Sequence, residues 1–301
     1  MSGPVQTAPA TMDVVESEEL VQFISPLLLT MDYSDLRVQV FVAGGSFAFF
    51  TTIFAVTLII CNLFPAFQNM GLKFRVFLSL SVVRGIFGIL ATLIGCYAIF
   101  YTTNLSRDIV FGTSATSHIG MLTTVGFFIF ELSAVIISDV AFRSFSKMLI
   151  MHHTLGVVSY SVAISLSANF SIGCKALILE MSTPFSCLSY LLMKVGMERS
   201  FLWRFNQMIL VHTFHLRSVV ECYLWYITFQ NWQYIWNFLP TSLFILTYLS
   251  LVLVTFVMTP YWGYKKTQQL FNPVDWNFED SSSHASHHNL GAANGGVKKT
   301  I

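Results

Sequence analysis

The sequence predicts an all-α protein that crosses a membrane about seven times, and three observations predict it. The 301 residues are 54% hydrophobic, and only 10% are charged, where a soluble domain carries about 25% charge. No Asp, Glu, Lys or Arg occurs between Arg37 and Lys73, nor between Glu221 and Lys265. The Lys and Arg residues gather in alternate gaps between apolar runs. A water-soluble globule of this size could not present so little charge without aggregating. The same composition excludes a disordered chain, and a net charge of +1 excludes a nucleic-acid binder, which needs a basic excess.

The elements follow from span length. A hydrocarbon core of about 30 Å takes roughly 20 apolar residues per helix. That window gives spans at residues 40–63, 76–100, 117–140, 148–170, 176–193, 205–228 and 238–259, the fifth being the shortest. Residues 1–36 are polar and acidic. Their apolar run Phe23–Leu29 is short, holds Pro26 and follows no basic stretch, so no cleaved signal peptide is expected. Residues 37–264 form the expected transmembrane domain and 265–301 a tail.

Orientation follows from charge. Lys73, Arg75, Arg143, Lys147, Lys194, Arg199, Arg204, Lys265, Lys266, Lys298 and Lys299 fall on one side, while Arg37, Arg107 and Lys175 fall on the other. The first side is expected to be cytosolic, with the N-terminus in the lumen. The turn Phe229–Asn237 carries Trp232, Tyr234 and Trp236 without charge, as a lumenal aromatic belt does. Asn104-Leu105-Ser106 is a glycosylation sequon on that side. The five cysteines are odd in number and read as small packing residues.

Ionisable groups inside the spans cost about 2.5–3.5 kcal/mol each on insertion scales, so each needs a reason. They are Arg84, His118, Glu131, Asp139, His152, His153, Glu180, His212, His215, Arg217 and Glu221; His118 and Asp139 lie near span ends and can reach water. Arg84 with Glu131, and Arg217 with Glu221 or Glu180, can form ion pairs that fix packing or serve function. His212 and His215, three apart, share a helix face and can equally pack or take part in chemistry. His152 and His153 are neighbours and point about 100° apart. One can line a cavity while the other orients it. Pro184 lacks the amide that would bond the Glu180 carbonyl, so that carbonyl is expected to be free. Counting residues from the span ends puts Glu180 more than one turn deeper than His153.

A histidine can act as general base or nucleophile in acyl transfer. A zinc or di-iron site needs several convergent ligands. His284, His287 and His288 lie in the tail, and the remaining five histidines form no repeated box, so no metal is expected. Proton-coupled transport finds no inverted repeat to support it.

His152-His153 is followed, 28 residues after the first, by Glu180-Met181-Ser182-Thr183, with Ser159-Tyr160 between. This resembles the motif of the TLC-domain family, whose best-known members are the ceramide synthases: paired His, then an acid-x-Ser-Asp element. Glu180 and Thr183 stand where that motif has Asp. The strings Leu179-Glu180-Met181-Ser182-Thr183-Pro184-Phe185 and Lys265–Phe278 resemble one branch of the family, over about residues 32–278. The resemblance implies six helices around a central tunnel and an endoplasmic-reticulum protein of lysosomal lipid homeostasis. It implies either acyl transfer to glycerophosphoglycerol-type acceptors or receptor-like export of lysosomal enzymes. The tail from Glu279 to Val297 is rich in Ser, His, Asn and Gly, as a flexible spacer is. It ends Lys298-Lys299-Thr300-Ile301, which looks like a dilysine retrieval signal read by vesicle-coat proteins, with cycling through the ER–Golgi intermediate compartment.

The expectation is therefore an acyltransferase that takes acyl-CoA as co-substrate and needs no cofactor. His152 or His153 would take the acyl group or the acceptor proton, with Glu180 holding the imidazole. Ser182, His212, His215, Arg217 and Glu131 would bind substrate. Arg143, Lys147, Lys194, Arg199 and Arg204 would form a basic lip for CoA. The alternatives are a cargo receptor that binds lysosomal enzymes through the acidic N-terminal segment and Thr102–Thr116, or a lipid sensor without turnover.

Overall fold

Seven apolar runs make seven long helical rods, and polar side chains start several of them. A computed structural model describes residues 26–273 apart from 69 and 102. The rods are α1 Leu36–Leu63, α2 Leu72–Phe100, α3 Ala115–Phe142, α4 Lys147–Ser165, α5 Phe170–Lys194, α6 Phe201–Gln230 and α7 Thr241–Phe271. Asp35 caps α1 by accepting from the Arg37 amide, Ser114 and Ser117 form a capping box on α3, and Ser200 accepts from the Trp203 amide to start α6. No strand occurs among the described residues.

Six rods, all but α6, are long and apolar enough to cross a membrane by length and composition. The exception, α6, is 30 residues long, about 45 Å. It is set apart by Asn206, Gln207, His212, His215, Arg217 and Glu221. The protein is thus an all-α membrane protein.

Two rods change pitch within their length. In α5, an α-helix over Phe170–Ala176 tightens to a 3-10 helix over Leu177–Ser182 before α-helix resumes at Thr183. Pro184 sits in the first turn of that last segment, where its missing amide costs nothing. In α7, a π-helical stretch Val254–Met258 precedes Pro260, and such insertions recur at functional sites.

The packing closes a ring. α2 packs on α3, α3 on α4, α4 on the Thr241–Leu253 half of α7, the later half of α7 on α6, α6 on α5, and α5 on α2. α1 lies outside, against α2 and α3. Where these three meet, Phe50, Phe87 and Phe127 interlock, Phe87 stacking on Phe127 at 3.6 Å. α2 comes so close to α5 that a Cβ at Gly95 would strike the backbone of Ile178. Small residues permit such approaches between membrane helices.

Several expected boundaries move. α4 ends at Ser165 instead of residue 170, because Ser167 and Asn169 turn the chain through positive φ. α5 therefore starts six residues early and takes in Lys175, expected in a loop. That lysine is buried, its Nζ 2.9 Å from Ser171 Oγ. α7 continues twelve residues past 259, through Lys265 and Lys266 to Phe271.

Candidate functional site

His152 and His153 lie in the second turn of α4, and their divergence separates them as helix geometry requires. His152 lines an elongated cavity walled by α3, α4, α5, α6 and α7. His153 is buried behind it against the rings of Phe127 and Phe128. Its Nε2 lies 4.0 Å from Glu131 Oε1. Glu131, fully buried on α3, takes the Arg84 guanidinium on that same oxygen, with Nε at 2.6 Å and Nη2 also in contact. The expected Arg84–Glu131 pair is present, and it backs His153, not the cavity.

Glu180 reaches the cavity from the 3-10 segment of α5. Its Oε1 is 3.7 Å from His152 Nε2, and its Oε2 accepts from Thr183 Oγ1 at 2.6 Å. The 3-10 pitch explains the second contact, since residues three apart eclipse one another. It also overturns the expected free carbonyl: the Thr183 amide bonds the Glu180 carbonyl in the tight turn. The depth count sets Glu180 more than one turn beyond His153, and the histidine that Glu180 approaches is His152.

Arg217 lines the same cavity from α6, with Nη1 donating to Ser182 Oγ at 3.1 Å and Nε unpartnered. The side chain is buried over the ring of Phe214. Glu221, one turn on, accepts from Thr259 Oγ1 at 2.5 Å, and neither Glu221 nor Glu180 forms an ion pair with Arg217 among the described residues. Cavity-lining Arg217 with Glu180, and Ser182 behind them, are therefore drawn together around His152.

His212 and His215 are not. They share a face, as expected, with ring centroids 5.8 Å apart, but it is the outward face of α6, where both are exposed. Around these two histidines, the side chains that pack inward from α6 include Val211, Phe214 and Arg217. Arg143, Lys147, Arg199 and Arg204 are exposed and Lys194 half-buried. All five lie in or within a helical turn of the α3–α4 and α5–α6 connections, at the end of the bundle nearer His152. His118 is held between Tyr33 and Phe170, bonded to the Ser114 carbonyl, and Asp139 ties the α3–α4 turn through Ser144 and Ser146. Lys298 and Lys299 lie outside the described residues.

Sequence reasoning gave no site role to four residues near this site. Thr183 orients Glu180; the sequence signal was its place three residues on, ahead of Pro184. Trp262 meets His152 edge to face at 6.0 Å, and only the phase shift of the π-helical stretch reveals it. Asn169 and Thr247, at the far end of the cavity, left a faint signal as polar residues at a span edge and within a span.

A family model described as the TLC domain matches residues 78–267. Protein CLN8 of Rattus norvegicus is 33% identical over 85% of this chain and 89% of its own length. Protein CLN8 of Mus musculus is 33% identical over 86% and 91%, and that of Homo sapiens 34% identical over 84% and 90%. No solved structure matches the chain.

Proposed function

From a chain that belongs to the TLC-domain family and is a lipid-related membrane protein of the CLN8 kind, we propose an acyltransferase that moves an acyl group from acyl-CoA to a hydroxyl acceptor. The observation that carries this reading is the His152–Glu180 pair at the wall of an otherwise largely apolar cavity. A carboxylate facing Nε2 holds the imidazole proton there and leaves the lone pair on Nδ1. That atom is then the nucleophile or base. As nucleophile it attacks the thioester carbonyl and expels the CoA thiolate; the acceptor hydroxyl then attacks the acyl-imidazole, frees the nitrogen and gives up its proton to the thiolate. As base it removes the hydroxyl proton while the acceptor attacks the thioester directly, and passes that proton to the CoA thiolate that leaves.

The other groups follow from their places. Arg217, steadied by Ser182, presents N–H donors to a developing oxyanion or to the phosphate of a glycerophosphodiester acceptor. The acyl chain lies along Phe128, Leu155 and Leu177. The basic turns at the near end suit the phosphates of CoA. His153, with Glu131 and Arg84 behind it, fixes the rotation of α4 that aims His152. Membrane lipids and acyl-CoA are the partners of this chemistry. An endoplasmic-reticulum address read by vesicle coats at Lys298-Lys299 fits the family.

The test is transfer of labelled acyl-CoA by the purified protein in detergent, over a panel of acceptors that includes a glycerophosphodiester. Wild type should turn over, and His152→Ala should lose activity by at least about 10²-fold. The His212→Phe/His215→Phe variant should keep it, since both rings face outward. No turnover by wild type, with normal export of lysosomal enzymes by His152→Ala, would establish the cargo receptor instead.

A further inference from the structure

The cavity is polar at two ends, and the chemistry above uses only one. Ser159 stands seven residues past His152 on α4, about 10 Å along the axis, and Ala163 eleven residues past, about 16 Å; all three line the cavity. Leu155, Gly156, Ala176 and Leu177 line the stretch between, which the Ser159–Ser250 hydroxyl pair interrupts with Oγ to Oγ at 3.4 Å. Beyond it, Asn169 from the start of α5 and Thr247 from α7 line the far end.

Asn169 is built into place. It adopts a left-handed conformation at φ 65°, which Asn tolerates better than most residues, and its amide donates to the Val110 carbonyl at 2.6 Å. It is 5% exposed. Its Nδ2 donates to Thr247 Oγ1 at 2.8 Å. Its Oδ1 makes no hydrogen bond among the described residues, and the Thr247 hydroxyl accepts without donating. The far end thus offers one uncommitted acceptor and one uncommitted donor. No Asp, Glu, Lys, Arg or His lines it, since His152, Glu180 and Arg217 are the ionisable side chains of those types in the lining.

An uncharged group that both donates and accepts is what such an end matches, and a hydroxyl does both. We propose that Asn169 and Thr247 form a hydroxyl-binding subsite, so that the lipid held by the cavity carries a hydroxyl group roughly 10–16 Å from the His152 end. The subsite rests on the reading of the cavity as a lipid site and narrows its ligand class. A site built to bond a hydroxyl discriminates against the analogue without one, because its buried polar groups are then left unpaired.

The test compares dodecanoic acid with ω-hydroxydodecanoic acid as competitors for a fluorescent fatty acid on the full-length protein in nanodiscs. The two probes have equal chain length and the same carboxylate, and neither needs turnover. The hydroxylated acid should compete about tenfold better. Thr247→Val, which keeps the shape, and Asn169→Gly, which keeps the left-handed backbone, should each bring the ratio close to one without weakening dodecanoic acid. A ratio near one in the wild type would overturn the subsite and leave those groups to ordered water. Failure of the fluorescent acid to bind at all would instead remove the lipid reading of the cavity, and the subsite with it.

Discussion

At Glu131 one carboxylate oxygen takes the whole Arg84 contact and the other takes none. This asymmetry places the negative charge beside His153 while largely neutralising it, and leaves the less encumbered carboxylate of Glu180 for His152. The two imidazoles, adjacent in sequence, thereby acquire different surroundings: one a compensated, buried neighbour, the other an acid held by Thr183 at a cavity wall. Removing one member of a buried pair strands the other, at a cost of about 3–5 kcal/mol. Arg84→Ala should therefore destabilise the protein by roughly that amount, read as a lowered melting temperature in detergent. Arg84→Met combined with Glu131→Leu should recover most of the loss, because no charge is then left uncompensated. If the double variant melts as low as the single one, Arg84 stabilises by packing and not by charge.

At the scale of the element, the site depends on two departures from α-helical pitch. The 3-10 turn of α5 sets Glu180 over Thr183, and the π stretch of α7 brings Trp262 round to His152. The apolar run lengths made the rods legible in the sequence, and the His152-His153 divergence made one cavity histidine and one buried histidine legible. Pitch was not legible, since no residue pattern in Leu177–Ser182 distinguishes three residues per turn from 3.6. Nor was the outward turn of His212 and His215, because a shared face does not say which neighbour it meets. The 3-10 segment is held by the close crossing of α2, where Gly95 faces the backbone of Ile178. Gly95→Val should force the helices apart, costing about 1–3 kcal/mol. It should also lower turnover, because Glu180 is displaced from His152. A variant that melts normally and turns over normally would show that the crossing has slack.

For the whole molecule, the ring and the charge distribution make one linked argument. Six rods close the ring and five of them, α3 to α7, line the cavity while α1 stays outside; if α6 crosses with the six apolar rods, the crossings are odd in number and residues 36 and 271 fall on opposite sides. The turns that carry Arg143, Lys147, Lys194, Arg199 and Arg204 lie at one end of the bundle, and the α2–α3 connection with Asn104 lies at the other. If the basic end is cytosolic, as the excess of Lys and Arg there favours, Asn104 faces the lumen and Lys298-Lys299 the cytosol, where a coat protein reads such a signal. One glycan then reports both ends. Asn104-Leu105-Ser106, or a sequon introduced at the same connection, should be glycosylated and remain sensitive to endoglycosidase H in the wild type. Lys298→Ser with Lys299→Ser should release the protein to later compartments, so that the glycan matures and becomes resistant, while acyl transfer by the purified variant is unchanged. A glycan that never forms at that connection reverses the orientation, and one that stays sensitive in the double variant removes retrieval through the two lysines.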